Sequence, residues 1–472
     1  MSVCPLVVDL DGTLLKTDLL FESLMAFLRR HPLQVLRLFW WVIRGKAYFK
    51  HQLANWVELD VTVMPYHLEL LDYLKEQQNL GRKLILATGS DFGLATQVSE
   101  HLGCFDSTFG SSLHLNLVGN NKRVLLDKLY GAGRYDYAGN SESDLSIWGS
   151  ARRALVVNAK QGVLKKAGVL APIERVFLPE RGVWRGAIRA MRLHQWAKNS
   201  LVMVPLFFAH QFADPSIWLK ALAAFVACGL CASSVYLLND LLDLTDDRHH
   251  HSKRRRPFAA GQTPIPLGLL MIPLLLMVTA VIVSWLPPMF GKVLAGYYLL
   301  TMLYSFYLKR VVLLDVLALA MLYTFRIIAG GFAVGIALSF WLLSFSVFFF
   351  LSLAIAKRYT ELMVAKRTQK QELRGRGYET DDITLIASLG SASGYLSVLV
   401  LALYINSPTI TALYTHPQLI WLVCPVLLYW ISRVWVIAHR GNMHDDPIMF
   451  ALKDPTSLVL GSGIVSIILM AI

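Results

Sequence analysis

Residues 216–247 read SIWLKALAAFVACGLCASSVYLLNDLLDLTDD, an apolar run that ends in a cluster of carboxylates. An apolar run of about 20 residues is typical of a membrane-spanning helix. Charged side chains at the edge of such a helix are costly in a bilayer and usually serve a function. This stretch therefore predicts a helical membrane domain with a polar site where the first long helix leaves the membrane.

Further apolar stretches follow the same pattern. Nine membrane spans are predicted, at about residues 199–213, 216–238, 264–286, 291–308, 311–335, 338–356, 385–406, 418–438 and 455–472. The basic residues cluster in the loops between spans, as is typical of cytoplasmic loops, so the net charge of +13 does not require a nucleic-acid partner. Residues 198–472 are thus predicted to be an all-α membrane domain.

The first part of the chain has a different pattern. In residues 1–177 short apolar strands alternate with helical segments, which predicts an α/β domain with a parallel sheet. Ligands bind such domains at the carboxyl ends of the strands. Residues 16–80 are predicted to form a helical cap, and the basic, Trp-containing residues 178–197 an interfacial helix.

The first predicted strand runs directly into the sequence Asp9-Leu10-Asp11-Gly12-Thr13. Two carboxylates at this spacing suit phosphoryl chemistry, because one attacks phosphorus while the other transfers the proton of the leaving group. A metal ion is expected to offset the phosphate charge. Thr88 at the end of a later strand and Lys122 at a helix start are further candidates for phosphate contacts.

These motifs, in this order, resemble the haloacid dehalogenase (HAD) phosphohydrolase superfamily over about residues 3–160. The resemblance implies an Asp9 nucleophile, an Asp11 general acid/base and a bound Mg²⁺. The residues implied to hold phosphate are Thr88, Gly89 and Lys122, and those implied to hold Mg²⁺ are Asp9, Asp11, Asn140 and Asp144. The family usually has aspartate at the position of Asn140, so an inactive docking or regulatory domain is the alternative.

The carboxylates after residue 238 have helical spacing. On one continuous helix Asp240, Asp243 and Asp247 share a face, and they would repel one another unless cations lay between them. Mg²⁺ with a diphosphate fits this arrangement. Lys253 and Arg256 follow closely, and they would neutralise the other side of the diphosphate.

The pattern N-D-x-x-D-x-x-x-D from Asn239, followed by K-x-x-R-P from Lys253, resembles the UbiA-type prenyltransferases. Lys198 resembles part of that family's stretch before the first span. The K-R-Y-x-E-L pattern from Lys357 is similar to the decaprenyl-phosphate phosphoribosyltransferase branch. This resemblance implies transfer of phosphoribose from phosphoribosyl diphosphate (PRPP) to a polyprenyl phosphate. Asp240, Asp243 and Asp247 would then hold Mg²⁺ on PRPP, Lys357 and Arg358 would contact phosphate, and Glu361 would orient these two cations or the ribose.

The fusion suggests that the HAD domain removes the 5-phosphate of the lipid product. Such an enzyme would lie in the inner (cytoplasmic) membrane with both sites on the cytoplasmic side. Two alternatives remain: a UbiA-type enzyme that prenylates an aromatic acceptor and has a regulatory HAD domain, and a transporter or lipid-binding protein.

Overall fold

The computed structural model describes residues 4–178, 182–208, 214–369, 376–407, 414–443 and 447–472. They form two compact units, one of Met1–Met191 with Tyr236–Pro273 and one of Arg192–Val235 with Leu274–Ile472. The carboxylate-rich segment after residue 238 therefore belongs to the same unit as the N-terminal domain.

The first unit is built on a six-stranded sheet in which every strand pair is parallel. The strand order is β3-β2-β1-β4-β5-β6. The strands are β1 (Leu6–Val8), β2 (Leu84–Asp91), β3 (Ser107–Ser111), β4 (Asp136–Gly139), β5 (Arg153–Val157) and β6 (Ile173–Phe177). Leu6 and Val8 pack into one apolar core and Val7 into another, because side chains alternate between the faces of a strand. The predicted parallel α/β domain is confirmed.

Helices surround this sheet. They are α1 (Leu19–Arg30), α2 (Val35–Ile43), α3 (Lys46–Trp56), α4 (Leu68–Asn79), α5 (Phe92–Leu102), α6 (Asn120–Tyr130), α7 (Leu145–Trp148), α8 (Gln161–Leu170) and α9 (Val183–Ala190). The first four lie between β1 and β2, where the sequence predicts a helical cap. Asp18 caps α1, since its side chain accepts a hydrogen bond from the Leu20 amide.

The remaining helices follow in chain order and include those of the membrane part. They are α10 (Val204–Phe208), α11 (Pro215–Leu242), α12 (Leu244–His249), α13 (Ile265–Val283), α14 (Pro288–Phe306), α15 (Leu314–Val334), α16 (Phe340–Arg367) and α17 (Ile383–Ile405), followed by Pro417–Ile420, Val423–His439, Pro447–Lys453 and Pro455–Ala471. The predicted multi-pass helical membrane domain is confirmed.

Nine spans are not confirmed. Among the described residues six helices are long and apolar enough to cross a membrane, or seven if Pro447–Lys453 and Pro455–Ala471, bent by 81°, form one span. The predicted first span begins as the 3-10 helix Leu193–Met203 and continues as the short α10, and its last residues lie outside the described ranges. A helix does cover the predicted span 291–308, but α14 contains a lysine and several tyrosines and is not among the six.

Candidate active sites

Asp9 follows β1 and lies in a short ion pair. Lys122, in the first turn of α6, donates from Nζ to Asp9 Oδ1 over 2.7 Å and to the Tyr137 hydroxyl over 3.0 Å. Asp9 and Lys122 are 7% and 3% exposed. Lys128, further along α6, is exposed instead. The structure therefore brings together the predicted nucleophile and the predicted phosphate-binding lysine.

Asp11 is held by three donors. Its carboxylate accepts from Ser90 Oγ at 2.6 Å, from Thr88 Oγ1 at 3.2 Å and from the Leu19 amide at 2.9 Å. Thr88 and Ser90 lie in β2, on either side of Gly89. Sequence reasoning missed Ser90, although a hydroxyl two residues after Thr88 in a strand points to the same face.

Asn140 and Asp144 occupy different places in the loop after β4. Asn140 lines the cavity beside Asp9 and packs on Gly12, whose φ of +72° and lack of a Cβ allow the approach. Asp144 is 1% exposed and accepts from the Tyr137 hydroxyl at 2.8 Å and from the Asn140 amide at 3.1 Å. Asp144 thus fixes the loop that presents Asn140, and it is not among the residues that line the cavity.

The cavity above Asp9 has a volume of about 710 Å³. Burial raises the pKa of Asp9 to about 7, despite the nearby Lys122 ammonium, and raises the pKa of Asp11 to about 6. The buried Asp9 carboxylate, the half-buried Asp11 carboxylate and the Asn140 amide face one cavity. They fit Mg²⁺, which usually takes one or two carboxylates and completes its shell with water and substrate phosphate. These are the residues that would hold the ion.

The second candidate site lies where α11 ends. Asp240 and Asp247 are 2% and 1% exposed, and Arg256 Nη1 lies 3.1 Å from Asp240 Oδ1 and 2.7 Å from Asp247 Oδ2. Burial raises the pKa of Asp247 to about 6, which the neighbouring Arg256 opposes. Lys253 is exposed in a turn before Arg256. Two carboxylates and the predicted arginine therefore meet at one point.

Asp243 is placed differently from its two neighbours. α11 ends at Leu242, so the helical spacing that would align all three carboxylates is interrupted there. Asp243 lies 3.5 Å from Arg29 of α1, and the same guanidinium contacts Asp246 at 2.5 Å. Arg29 was missed by sequence reasoning, because nothing in the chain marks a partner more than 200 residues away. Asn239 is half-buried in the last turn of α11, and its carbonyl accepts from the Asp243 amide.

Within the described ranges, no three His, Cys, Asp or Glu side chains are grouped to hold a metal ion. Asp240 and Asp247 nevertheless fit the way Mg²⁺ binds a diphosphate, through one or two carboxylates with phosphate oxygens and water as the other ligands. Arg256 already supplies a positive charge between them. An Mg²⁺ ion that arrives with a substrate would have to share these carboxylates with Arg256.

In the second unit Arg358 lies inside α16, which continues to Arg367. The helix continues past residue 356, the predicted end of this span, and the charge of Arg358 is neutralised within the fold. Its guanidinium is 0% exposed, lies 2.6 Å from Asp315 and also pairs with Glu361. The Tyr378 hydroxyl donates to Asp315 at 2.5 Å. Arg358 is therefore a buried ion-pair partner, while the preceding Lys357 is half-buried.

A second cluster of polar side chains in this unit joins Asn199, before the first helices of the membrane part, to Tyr297 and Arg326. Arg326 of α15 donates to Asn199 Oδ1 at 2.9 Å and to the Tyr297 hydroxyl at 2.8 Å. Lys198 Nζ lies 5.8 Å from the centre of the Tyr323 ring, within the range of a cation–π contact. Lys198 thus directly precedes Asn199, which accepts a hydrogen bond from Arg326.

The model of the UbiA prenyltransferase family matches residues 201–453. The uncharacterized protein y4nM of Sinorhizobium fredii is 38% identical over 472 residues, which cover 99% of this chain and 91% of that protein. The decaprenyl-phosphate phosphoribosyltransferase of Mycolicibacterium smegmatis is 38% identical over 196 residues, which cover 40% of this chain and 61% of that enzyme.

Two solved structures match different parts of the chain. A UbiA homolog from Archaeoglobus fulgidus bound to DMAPP and Mg²⁺ covers 60% of this chain and 98% of its own, with 14% identity and a TM-score of 0.45. A substrate-bound phosphoserine phosphatase covers 39% of this chain and 97% of its own, with 14% identity and a TM-score of 0.29. Since the family model matches residues 201–453 of the 472, the chain belongs to the UbiA prenyltransferase family.

Proposed function

We propose that the chain transfers 5-phosphoribose from PRPP to a polyprenyl phosphate in the presence of Mg²⁺. The observation that carries this proposal is the 38% identity to a decaprenyl-phosphate phosphoribosyltransferase, together with a K-R-Y-x-E-L pattern from Lys357. In this reaction an oxygen of the lipid phosphate attacks C1 of PRPP. The bond from C1 to the diphosphate oxygen breaks, and pyrophosphate leaves.

Asp240 and Asp247 are the proposed ligands of the Mg²⁺ that accompanies PRPP, with Asp243 as a third candidate whose carboxylate Arg29 contacts. The ion would offset the negative charge of the diphosphate. Arg256 lies between Asp240 and Asp247, so it is placed to take over phosphate charge as pyrophosphate forms. Lys253 and Asn239 flank this group as further phosphate contacts.

Lys198 and Lys357 are the proposed contacts for the lipid phosphate. Arg358 is better described as a positioning residue, because its guanidinium is fully buried between Asp315 and Glu361. A buried charge that keeps its partners fixes the geometry around it, and removing either partner is costly. Arg358 and Glu361 would thus hold the turn of α16 that presents Lys357.

The HAD-like domain is proposed to remove the 5-phosphate of the lipid product. Asp9 attacks phosphorus, the P–O ester bond breaks, and Asp11 gives its proton to the leaving alkoxide. Water then attacks the aspartyl phosphate, Asp11 takes a proton from that water, and inorganic phosphate is released. Lys122, Thr88 and Gly89 would bind the phosphoryl oxygens, and Asn140, held by Asp144, would share the Mg²⁺ with the two aspartates.

Mass spectrometry of the products tests both halves. Purified full-length protein is incubated with PRPP, Mg²⁺ and a polyprenyl phosphate. Wild type is expected to give the dephosphorylated lipid ribose, while Asp9→Asn accumulates the lipid phosphoribose with its 5-phosphate. Asp240→Asn is expected to give neither lipid. Matched controls are Asp72→Asn in α4 and Asp381→Asn, which alter exposed carboxylates outside both sites.

The family description supports a second candidate, transfer of a prenyl group from its diphosphate to an aromatic acceptor. The same carboxylates would then hold a prenyl diphosphate. Turnover with a prenyl diphosphate and an aromatic acid, with no product from PRPP, would replace the first proposal by this one. For either reaction we propose an inner-membrane location with both sites on the cytoplasmic side.

A further inference from the structure

One wall of the cavity above Asp9 comes from a distant part of the chain. The sheet loops and the cap line one side, and the other side is lined by Gly261, Gln262, Pro264, Ile265 and Pro266. All these residues belong to the first unit. A volume of about 710 Å³ is typical of sites for ligands much larger than a phosphate ion. The segment after the carboxylate cluster therefore completes the phosphatase-like cavity.

This wall, residues 261–266, leads directly into a membrane-spanning helix. α13 begins at Ile265 and is one of the six candidate spans. Only 22% of its most apolar 18-residue stretch is buried within the protein. The first turn of a spanning helix lies at the level of the lipid headgroups. With α13 spanning a bilayer, the cavity would therefore lie beside the headgroups.

The wall is packed firmly against the HAD-like domain. Arg248 donates to Glu22 over 2.6 and 3.1 Å and from Nε to the Ala259 carbonyl over 2.9 Å. Gly261 approaches so closely that a Cβ there would lie 2.7 Å from Lys16 Cβ. These contacts fix residues 261–266 as part of the cavity.

Four lysines line the cavity: Lys16, Lys46, Lys50 and Lys122. Lys122 pairs with Asp9, and Lys50 donates to the Gly89 carbonyl at 2.5 Å. Burial lowers the pKa of Lys50; the charges of Asp11 and Asp18 oppose this shift, and those of Lys46 and Lys122 add to it. The ammonium groups are thus close enough to repel one another. Lys16 and Lys46 add positive charge beyond that of Lys122, which contacts Asp9, and the carboxylates that line the same cavity are Asp9, Asp11 and Asp18.

We propose that this cavity takes a phosphomonoester whose leaving group carries a second phosphate and a lipid chain. Lys16 and Lys46 hold the second phosphate, and the lipid side of the leaving group follows residues 261–266 towards α13. Only the terminal P–O ester bond is broken, water supplies the oxygen of the released phosphate, and the second phosphate stays on the lipid. The proposal rests on the proposed phosphatase activity and names the substrate class of that site.

Soluble probes test the second-phosphate site in the full-length protein in detergent. We expect kcat/KM for ribose 1,5-bisphosphate to exceed that for ribose 5-phosphate by at least about tenfold, the effect of one charged contact. Lys46→Ala is expected to remove most of this difference by raising KM for the bisphosphate alone. Lys128→Ala, which alters an exposed lysine outside the cavity, serves as the control.

A lipid-linked probe tests the wall. Pro266→Gln places a neutral polar group on the exposed first turn of α13 without adding charge to the cavity, and it is expected to lower kcat/KM for polyprenyl-phosphoryl ribose 5-phosphate by roughly tenfold. The rate with ribose 1,5-bisphosphate is expected to stay within about twofold, because that probe has no chain. An equal loss for both probes would overturn the role of the wall.

Binding to Asp9→Asn separates this proposal from the phosphatase proposal, since it requires no turnover. If that variant binds ribose 1,5-bisphosphate more tightly than ribose 5-phosphate and Lys46→Ala abolishes the preference, the second-phosphate site stands even without hydrolysis. If the two probes bind equally, or Lys46→Ala weakens both alike, the second-phosphate site is refuted even where hydrolysis is observed.

Discussion

The ion pair between Arg248 and Glu22 allows a quantitative test of how the HAD-like domain is joined to the carboxylate-rich segment. The guanidinium makes two contacts with the carboxylate, at 2.6 and 3.1 Å, and the side chains are only 4% and 2% exposed. Thr17 also donates to Glu22 over 2.8 Å. Arg248→Met would leave a buried carboxylate without its cation.

The expected loss is large because the remaining charge is desolvated. Removing one partner of a buried pair costs about 3–5 kcal/mol, whereas an exposed pair is worth only about 0–1 kcal/mol. We therefore expect Arg248→Met to destabilise the first unit by about 3–5 kcal/mol. Adding Glu22→Gln is expected to recover much of the loss, because it removes the stranded charge and keeps an acceptor for Thr17.

The assay is thermal unfolding of the full-length protein in detergent, followed by Trp fluorescence and by residual phosphatase activity. Arg30→Met is the matched control, since Arg30 and Glu58 are 3.8 Å apart with side chains 50% and 94% exposed. Equal midpoints for Arg248→Met and Arg30→Met would refute the reasoning. So would a double variant no more stable than Arg248→Met alone.

Three further outcomes are expected. Arg256→Ala should lower pyrophosphate release from PRPP by about 100-fold or more, since Asp240 and Asp247 lose their shared cation, while hydrolysis of ribose 5-phosphate is unchanged. Ser90→Ala should lower phosphatase kcat by roughly tenfold with little change in KM, because Asp11 loses its shortest donor; an unchanged kcat would contradict this role. Removal of divalent ions with EDTA should abolish both activities and added Mg²⁺ should restore them; full activity after chelation would exclude the proposed ion.

Local patterns in the sequence indicated which residues of the N-terminal domain would lie around Asp9, apart from Ser90 and residues 261–266. Asp9 and Asn140 each follow a strand, and Thr88 lies in the second half of β2, so parallel strands bring these residues to one edge of the sheet. Lys122 could be preferred to Lys128 from its position in the first turn of α6, and it does contact Asp9. These predictions depend only on neighbours in sequence and on the order of motifs.

Long-range contacts could not be predicted in the same way. Arg29 and the cavity wall at residues 261–266 are joined to their partners across roughly 200 residues or more, and no local pattern specifies such pairs. The predicted span ended at about residue 356, because Lys357 and Arg358 begin a basic stretch that is typical of a cytoplasmic loop. Arg358 is instead buried against Asp315, so α16 continues.

Residues 239–266 link the two proposed activities physically. Asp240 and Asp247 lie near one end, the wall of the phosphatase-like cavity lies at the other, and Arg248 between them is anchored to Glu22. A shift of this segment would therefore disturb both sites. Arg248→Met is expected to lower transferase and phosphatase activity together even below its unfolding temperature, whereas Asp9→Asn and Arg256→Ala each abolish only one. If Arg248→Met left either activity at the wild-type level, the anchor would serve stability alone.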